Sequence, residues 1–347
     1  MQTPWNSLPA NSWWWPTPPP KPIKQDQPNY PYWMAKAGLC GEVTVEFIID
    51  RTGQVRNPFV VGSNNPWFEP LAVDAILGWK FQPGEKNGKP VNIRAEQRIV
   101  FDLDGLKGPP DIWRITKAKD HSKLPPELQW DTPPTPTRTT FPAYPFEQLQ
   151  AGTVGHATVS YLVGPDGRVQ GAKLREATAP EFGLAVLAMI DVWRFTPPKK
   201  KDGTPCYATL GAEYKFLPRG QGDVPVSERA RWILSDLKKK PEAITKPKDL
   251  DRPLKPLSCR PPVYPTALEK DGQPGDAVID FFVDQKGDAQ LPRIVSSTAP
   301  EFGYAAVQAV ATWRFEVPKK GGKPTVVRAR IPVAFSIESA GNPGQNP

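Results

Sequence analysis

The sequence predicts an α+β protein of three tandem modules, each with a short helix, a three-stranded antiparallel sheet of order 2-1-3 and one amphipathic helix packed on one face. Three observations predict it. A helical motif occurs three times, at Pro66 to Phe81, Pro180 to Phe195 and Pro300 to Phe315. Each copy follows a run with apolar residues at every second position and a hairpin turn, and each is followed by a glycine-proline loop and a further alternating run.

Each module opens at a Tyr-Pro pair, Tyr30-Pro31, Tyr144-Pro145 or Tyr264-Pro265, which starts a short helical segment ending at two glycines. Those are Gly38 and Gly41, Gly152 and Gly155, Gly272 and Gly275. Glycine adopts the left-handed conformation that ends a helix and turns the chain.

The first strand then alternates as Val43, Val45, Phe47, Ile49; Ala157, Val159, Tyr161, Val163; and Ala277, Ile279, Phe281, Val283. A period of two marks a strand with one buried face. Turns at Asp50 to Gly53, Gly164 to Gly167 and Asp284 to Gly287 return it as a second strand, Val55 to Val61, Val169 to Arg175 and Ala289 to Val295. Pro58 and Pro292 fall within that strand. Proline is tolerated in a sheet at an edge or a bulge, so the second strand is a blunted edge.

The long helix comes next, with Phe68, Leu71, Ala72, Ala75, Ile76 and Trp79 on one face, and equivalent residues in its sisters up to Trp193 and Trp313. Pro66, Pro180 and Pro300 suit a helix start. Glu69, Glu181 and Glu301 suit the positive end of its dipole, and Lys80, Arg194 and Arg314 the negative end. The third strand buries Val91, Ile93, Ala95, Ile99 and Phe101 in the first module, with matching runs from Cys206 to Phe216 and Thr325 to Phe335. Antiparallel pairing beside the first strand makes the third strand the second edge.

The domain plan is a Pro/Trp-rich extended segment at 1–29, modules at 30–103, 144–217 and 264–337, linkers at 104–143 and 218–263, and a tail at 338–347. Trp5, Trp13, Trp14 and Trp15 in the first segment form either a docking patch or a tail folded onto the first module. In the second linker Val226, Ala230, Ile233, Leu234 and Leu237 make a helical stripe. Trp113, Leu124 and Trp130 in the first linker also need a surface, so both linkers are expected to pack on the modules.

The net charge of +8 is spread over every loop and diluted by 36 acids, and no nucleic-acid reading module is in view, so nucleic-acid binding is not expected. Cys40, Cys206 and Cys259 have neither paired spacing nor a histidine cluster, which predicts no disulfide framework and no metal site. His121 lies in a linker, and His156 sits where the sister modules carry Glu42 and Asp276. No nucleophile and base arrangement or phosphate loop accompanies them, so no catalytic residues and no cofactor are expected. Without a run of about 18 apolar residues or a signal-type core, the chain is expected neither to span a membrane nor to carry its own export signal.

The ordered set of Tyr-Pro, paired glycines, alternating strand, turn glycine, amphipathic helix ending Trp-Lys/Arg-Phe and a strand ending in Phe resembles the C-terminal domain of TonB proteins. It is carried by Tyr30, Gly41, Trp79, Phe81 and Phe101; by Tyr144, Gly155, Trp193, Phe195 and Phe216; and by Tyr264, Gly275, Trp313, Phe315 and Phe335. The first two copies continue to Pro83 and Pro197, whereas the third has Val317 and then Pro318.

The resemblance implies a periplasmic or cell-envelope coupling protein that grips an extended segment of an outer-membrane receptor and transduces energy through a proline-rich spacer. An open sheet edge can take such a peptide as an added strand. The third strand is the expected edge, with Asn92, Arg94, Glu96 and Arg98 outward in module one, Tyr207 and Thr209 in module two, and Arg328 and Arg330 in module three. Two readings of the arginines stay open, selection of an acidic peptide and solubility of the edge. The alternative function is a scaffold whose modules pair edge to edge with one another or with other chains, self-association included.

Overall fold

The computed structural model describes residues 18–30, 34, 39–102, 113–117, 123–218 and 226–336, with backbone alone at 113–117. The tryptophans of residues 1–17, the leading helix of module one apart from Met34, His121 and the tail 337–347 lie outside the described residues. The chain forms two compact units, Met1–Pro109 with Thr137–Thr139, and Pro110–Pro136 with Thr140–Pro347.

Each module builds the same sheet. The first strands, Gly41–Ile49, Gly155–Val163 and Gly275–Val283, lie between a second strand (Val55–Ser63, Val169–Ala177, Ala289–Ser297) and a third (Ile93–Phe101, Ala208–Phe216, Val327–Phe335). All pairs are antiparallel, in the expected order. The second strand runs two residues beyond its expected end in each module and shifts register twice against the first. Asn57, Gly171 and Leu291 sit at the same point of this bulge with φ of 49°, 55° and 52°, and Pro58 and Pro292 follow directly. The edge position inferred from those prolines holds in all three modules, and the bulge occurs also in module two, which has Ala172 in place of the proline.

The long helices run Pro180–Asp191 and Pro300–Val310, and in module one a 3-10 turn, Pro66–Phe68, leads into Glu69–Leu77. They stop before the tryptophan. Lys80, Arg194 and Arg314 therefore do not form a helical last turn but lie in the short strands Lys80–Gln82, Arg194–Phe195 and Arg314–Phe315. Arg194 still donates to the carbonyls of Asp191 at 3.0 Å and Trp193 at 2.6 Å, so the cation reaches the carbonyl end of its helix from outside it.

The tryptophans occupy equivalent buried spots. Trp79, Trp193 and Trp313 donate from Nε1 to the carbonyls of Asp26, Thr140 and Arg260, at 2.9, 3.2 and 2.8 Å. Beside them Phe47 and Phe81, Tyr161 and Phe195, and Phe281 and Phe315 complete one aromatic cluster per core. A second cluster joins Tyr30 to Phe68 and Phe101, and Tyr144 to Phe182 and Phe216. Tyr264 meets Phe302, which meets Phe335. The tyrosine hydroxyls donate to the carbonyls of Leu39, Thr153 and Gln273.

The leading helix is a true α-helix in module two, Phe146–Ala151, closed by left-handed Gly152, but only a 3-10 turn, Thr266–Leu268, in module three. Gly41, Gly155 and Gly275 are not left-handed, contrary to the turning role read from the sequence. A Cβ on Gly155 or Gly275 would lie 2.1 Å from the ring of Phe182 or Phe302, so close approach demands the glycine.

Both linkers pack on modules as expected. In the second, the helix Glu228–Lys239 buries Ala230 and Ile233, is capped by the Ser227 side chain, and holds Arg229 against Asp284 and Asp288 of module three. Pro256–Ser258 pairs with Arg314–Phe315, as Lys21–Lys24 pairs with Lys80–Gln82 in module one.

Within the second unit, modules two and three pair through their long helices, not edge to edge. Thr266 closes over buried Asp191, whose carboxylate accepts from its Oγ1 at 2.7 Å and its N–H at 3.2 Å. Burial pushes the Asp191 carboxyl up to about 6 despite those bonds. A folded-state pKa above the unfolded value of about 3.9 gives a contribution fully present below that value and lost as pH rises through the folded one. Between pH 4 and 7 the group is expected to cost this unit roughly 2–3 kcal/mol. Asp191→Asn is expected to flatten that part of the profile, measured as the difference between variant and parent denaturation midpoints across pH.

Candidate functional site

The third strands carry the candidate edges, and their environments differ. In module one, no strand pairs with the outer side of Ile93–Phe101 among the described residues. Its outward side chains are committed across the sheet: Arg94 pairs with Glu46 and Arg98 with Glu42, while Glu96 stands directly opposite Glu46. Asn92 precedes the strand and accepts from the Arg51 N–H at 3.2 Å. Two arginines thus face three glutamates, and this face lacks the basic character read from the arginines alone.

In module two the third strand is not an edge. The linker strand Trp113–Lys117 lies antiparallel beside it, pairing Leu210 with Lys117, Ala212 with Ile115 and Tyr214 with Trp113. Thr209 is the second residue of the third strand, just outside the covered stretch, and Tyr207 precedes the strand. The open edge expected here is closed by the chain's own backbone. The sequence carries a short signal for this strand that the reading above did not use, apolar Trp113 and Ile115 alternating with Arg114 and Thr116.

In module three, Thr245 makes a parallel bridge to Val327 at the start of the third strand, its N–H donating to the Val326 carbonyl at 2.9 Å. Further along, Pro332 lacks an N–H. Arg328 and Arg330 converge with Arg293 on Asp280, whose side chain is 2% exposed. Burial alone raises this carboxyl, but the three guanidiniums outweigh it and hold the group well below the usual carboxylate range. Three cations on one anion leave this face positive.

His156 lies on the exposed face of the first strand of module two with Glu176 at 3.3 Å. No helix among the described residues is long and apolar enough to cross a membrane.

A family model for the Gram-negative bacterial TonB protein C-terminal matches residues 26–103, 140–217 and 260–337. Protein TonB of Vibrio cholerae is 35% identical over 82 residues, covering 23% of this chain and 34% of that protein, so the match spans about a third of the relative's length. The solution structure of the Pseudomonas aeruginosa TonB C-terminal domain is 26% identical, with 28% of this chain and 95% of that one covered and a TM-score of 0.24. The three matched segments together make up more than half of the sequence and coincide with three sheets of one topology, and the chain belongs to the TonB C-terminal family.

Proposed function

We propose that this chain is a non-enzymatic periplasmic or cell-envelope protein that binds extended segments of partner proteins, outer-membrane receptors foremost, by strand addition to module one. What carries the reading is the fourth strand on module two. There the third-strand edge of this fold already holds an added antiparallel segment, Trp113–Lys117. Module one keeps the equivalent edge unpaired among the described residues, with unmet backbone groups that a peptide can engage. The site is the backbone of Ile93–Phe101 flanked by Asn92, Arg94, Glu96 and Arg98. Its two arginines and three glutamates suit a peptide of mixed sign, whereas Arg328 and Arg330 suit an acidic one at module three.

Titration of the full chain with extended receptor-type peptides, followed by hydrogen exchange, tests this. Binding in the micromolar range, about −8 kcal/mol, is expected, with new protection confined to residues 93–101. Binding without protection there, or no binding by folded protein, would overturn the proposal.

The second reading is a scaffold whose modules pair with one another; modules two and three do pair, though through their long helices and not edge to edge as that reading had it. It predicts association without any added strand at residues 93–101.

A further inference from the structure

In module three one row of side chains crosses all three strands. Asp280 stands opposite Arg293 of the second strand and Arg330 of the third, and Arg328 lies two residues from Arg330. Ile279 and Phe281 enter the core under the long helix, so the row lies on the other face of the sheet. The same row reads Phe59, Glu46 and Glu96 in module one, and Lys173, Ser160 and Gly211 in module two. A buried carboxylate ringed by cations is therefore particular to module three.

Arg293 donates to Asp280 at 3.0 Å, Arg330 donates from Nε and Nη2 at 2.5 and 3.1 Å, and Arg328 donates as well. A guanidinium has five N–H groups, and each of these spends one or two on the shared anion. Asp280 is buried, whereas the Arg328 and Arg330 side chains are 45% and 56% exposed. Arg293 is also steadied by the Phe146 ring, 5.5 Å from its centre. The buried anion thus gathers three cations at one place and leaves positive charge and donors unspent. Guanidinium forks of this kind match carboxylates.

The backbone beside the row does not offer a ladder. Thr245 donates to the Val326 carbonyl, and the Arg328 N–H donates to the Thr245 carbonyl at 3.3 Å. Groups on this side of the strand recur at every second residue, so Arg330, Pro332 and Ala334 come next. With the Arg328 donor taken and Pro332 lacking one, an incoming strand meets no two consecutive donors.

We propose that module three holds an acidic partner segment by its side chains, a pair of neighbouring carboxylates seated on Arg293, Arg328 and Arg330, without adding a strand. This rests on the reading that the chain binds extended segments of partner proteins, and it gives module three a recognition mode different from that of module one.

Calorimetric titration of the full chain at low salt, with a short serine-glycine peptide carrying a central pair of aspartates and with its asparagine counterpart, tests it. The aspartate peptide is expected to bind about tenfold more tightly or better, with the advantage shrinking as salt rises. Arg328→Gln with Arg330→Gln is expected to abolish the difference, unchanged thermal unfolding confirming the fold, and the comparison of the two peptides on the parent needs no variant. Hydrogen exchange of residues 328–334 is expected to stay unchanged on binding. Equal binding of the two peptides overturns the proposal, as does a preference that survives in the double variant or new protection at Arg330 and Ala334. Protection of residues 93–101 by receptor-type peptides reads the module-one site separately, so either site can fail alone.

Discussion

Replacing Trp193 with alanine is expected to destabilise the second compact unit by about 3–5 kcal/mol, the range for deleting a large aromatic from a packed core. Trp193 is fully buried, contacts Tyr161 and Phe195, and ties the start of its module to the end of the helix through Thr140. Truncation opens a cavity and leaves that carbonyl without its indole donor. Trp193→Phe keeps most of the volume and is expected to cost less, with about 1 kcal/mol of it from the lost hydrogen bond. Denaturant titration followed by circular dichroism reads both. A loss under 1 kcal/mol for the alanine variant would contradict the equivalence of the three tryptophans on which the modular description rests.

Breaking the linker strand should have the second large effect. With Ile115→Pro and Thr116→Pro together, ladder hydrogen bonds of either parity are lost, because adjacent strand residues point their N–H groups to opposite sides. Amides in Leu210–Tyr214 are then expected to exchange about tenfold faster or more, while those facing the first strand keep their protection. The freed edge should take up a second equivalent of any peptide that binds module one. Unchanged exchange over Leu210–Tyr214 would mean that this strand does not close the edge.

Much of the architecture was legible because it is local and repeated. Alternation such as Val43, Val45, Phe47, Ile49 specifies a half-buried strand, and Pro58 and Pro292 mark the second strand as an edge. Other features were misread for a physical reason. The apolar period carried through to Trp79, Trp193 and Trp313, so the helices looked longer than they are. Those residues lie beyond the helix end and are buried by the chain's turn into a short strand. Gly155 looked like a turn residue because nothing nearby in sequence reveals that the Phe182 ring will press against it.

The candidate site divides in the same way. Local pattern was enough for the strand content and for placing most of the outward residues in a third strand, with Asn92 and Tyr207 falling just before it, because periods of two and 3.6 act within a few residues. Whether an edge is open, and whether an arginine is free, depends on groups far along the chain. Trp113–Lys117 closes one edge from about 95 positions away, and Asp280 gathers Arg293, Arg328 and Arg330 from two other strands. Backbone pairing and charge neutralisation act through space, so only the folded arrangement decides which rim remains available to a partner.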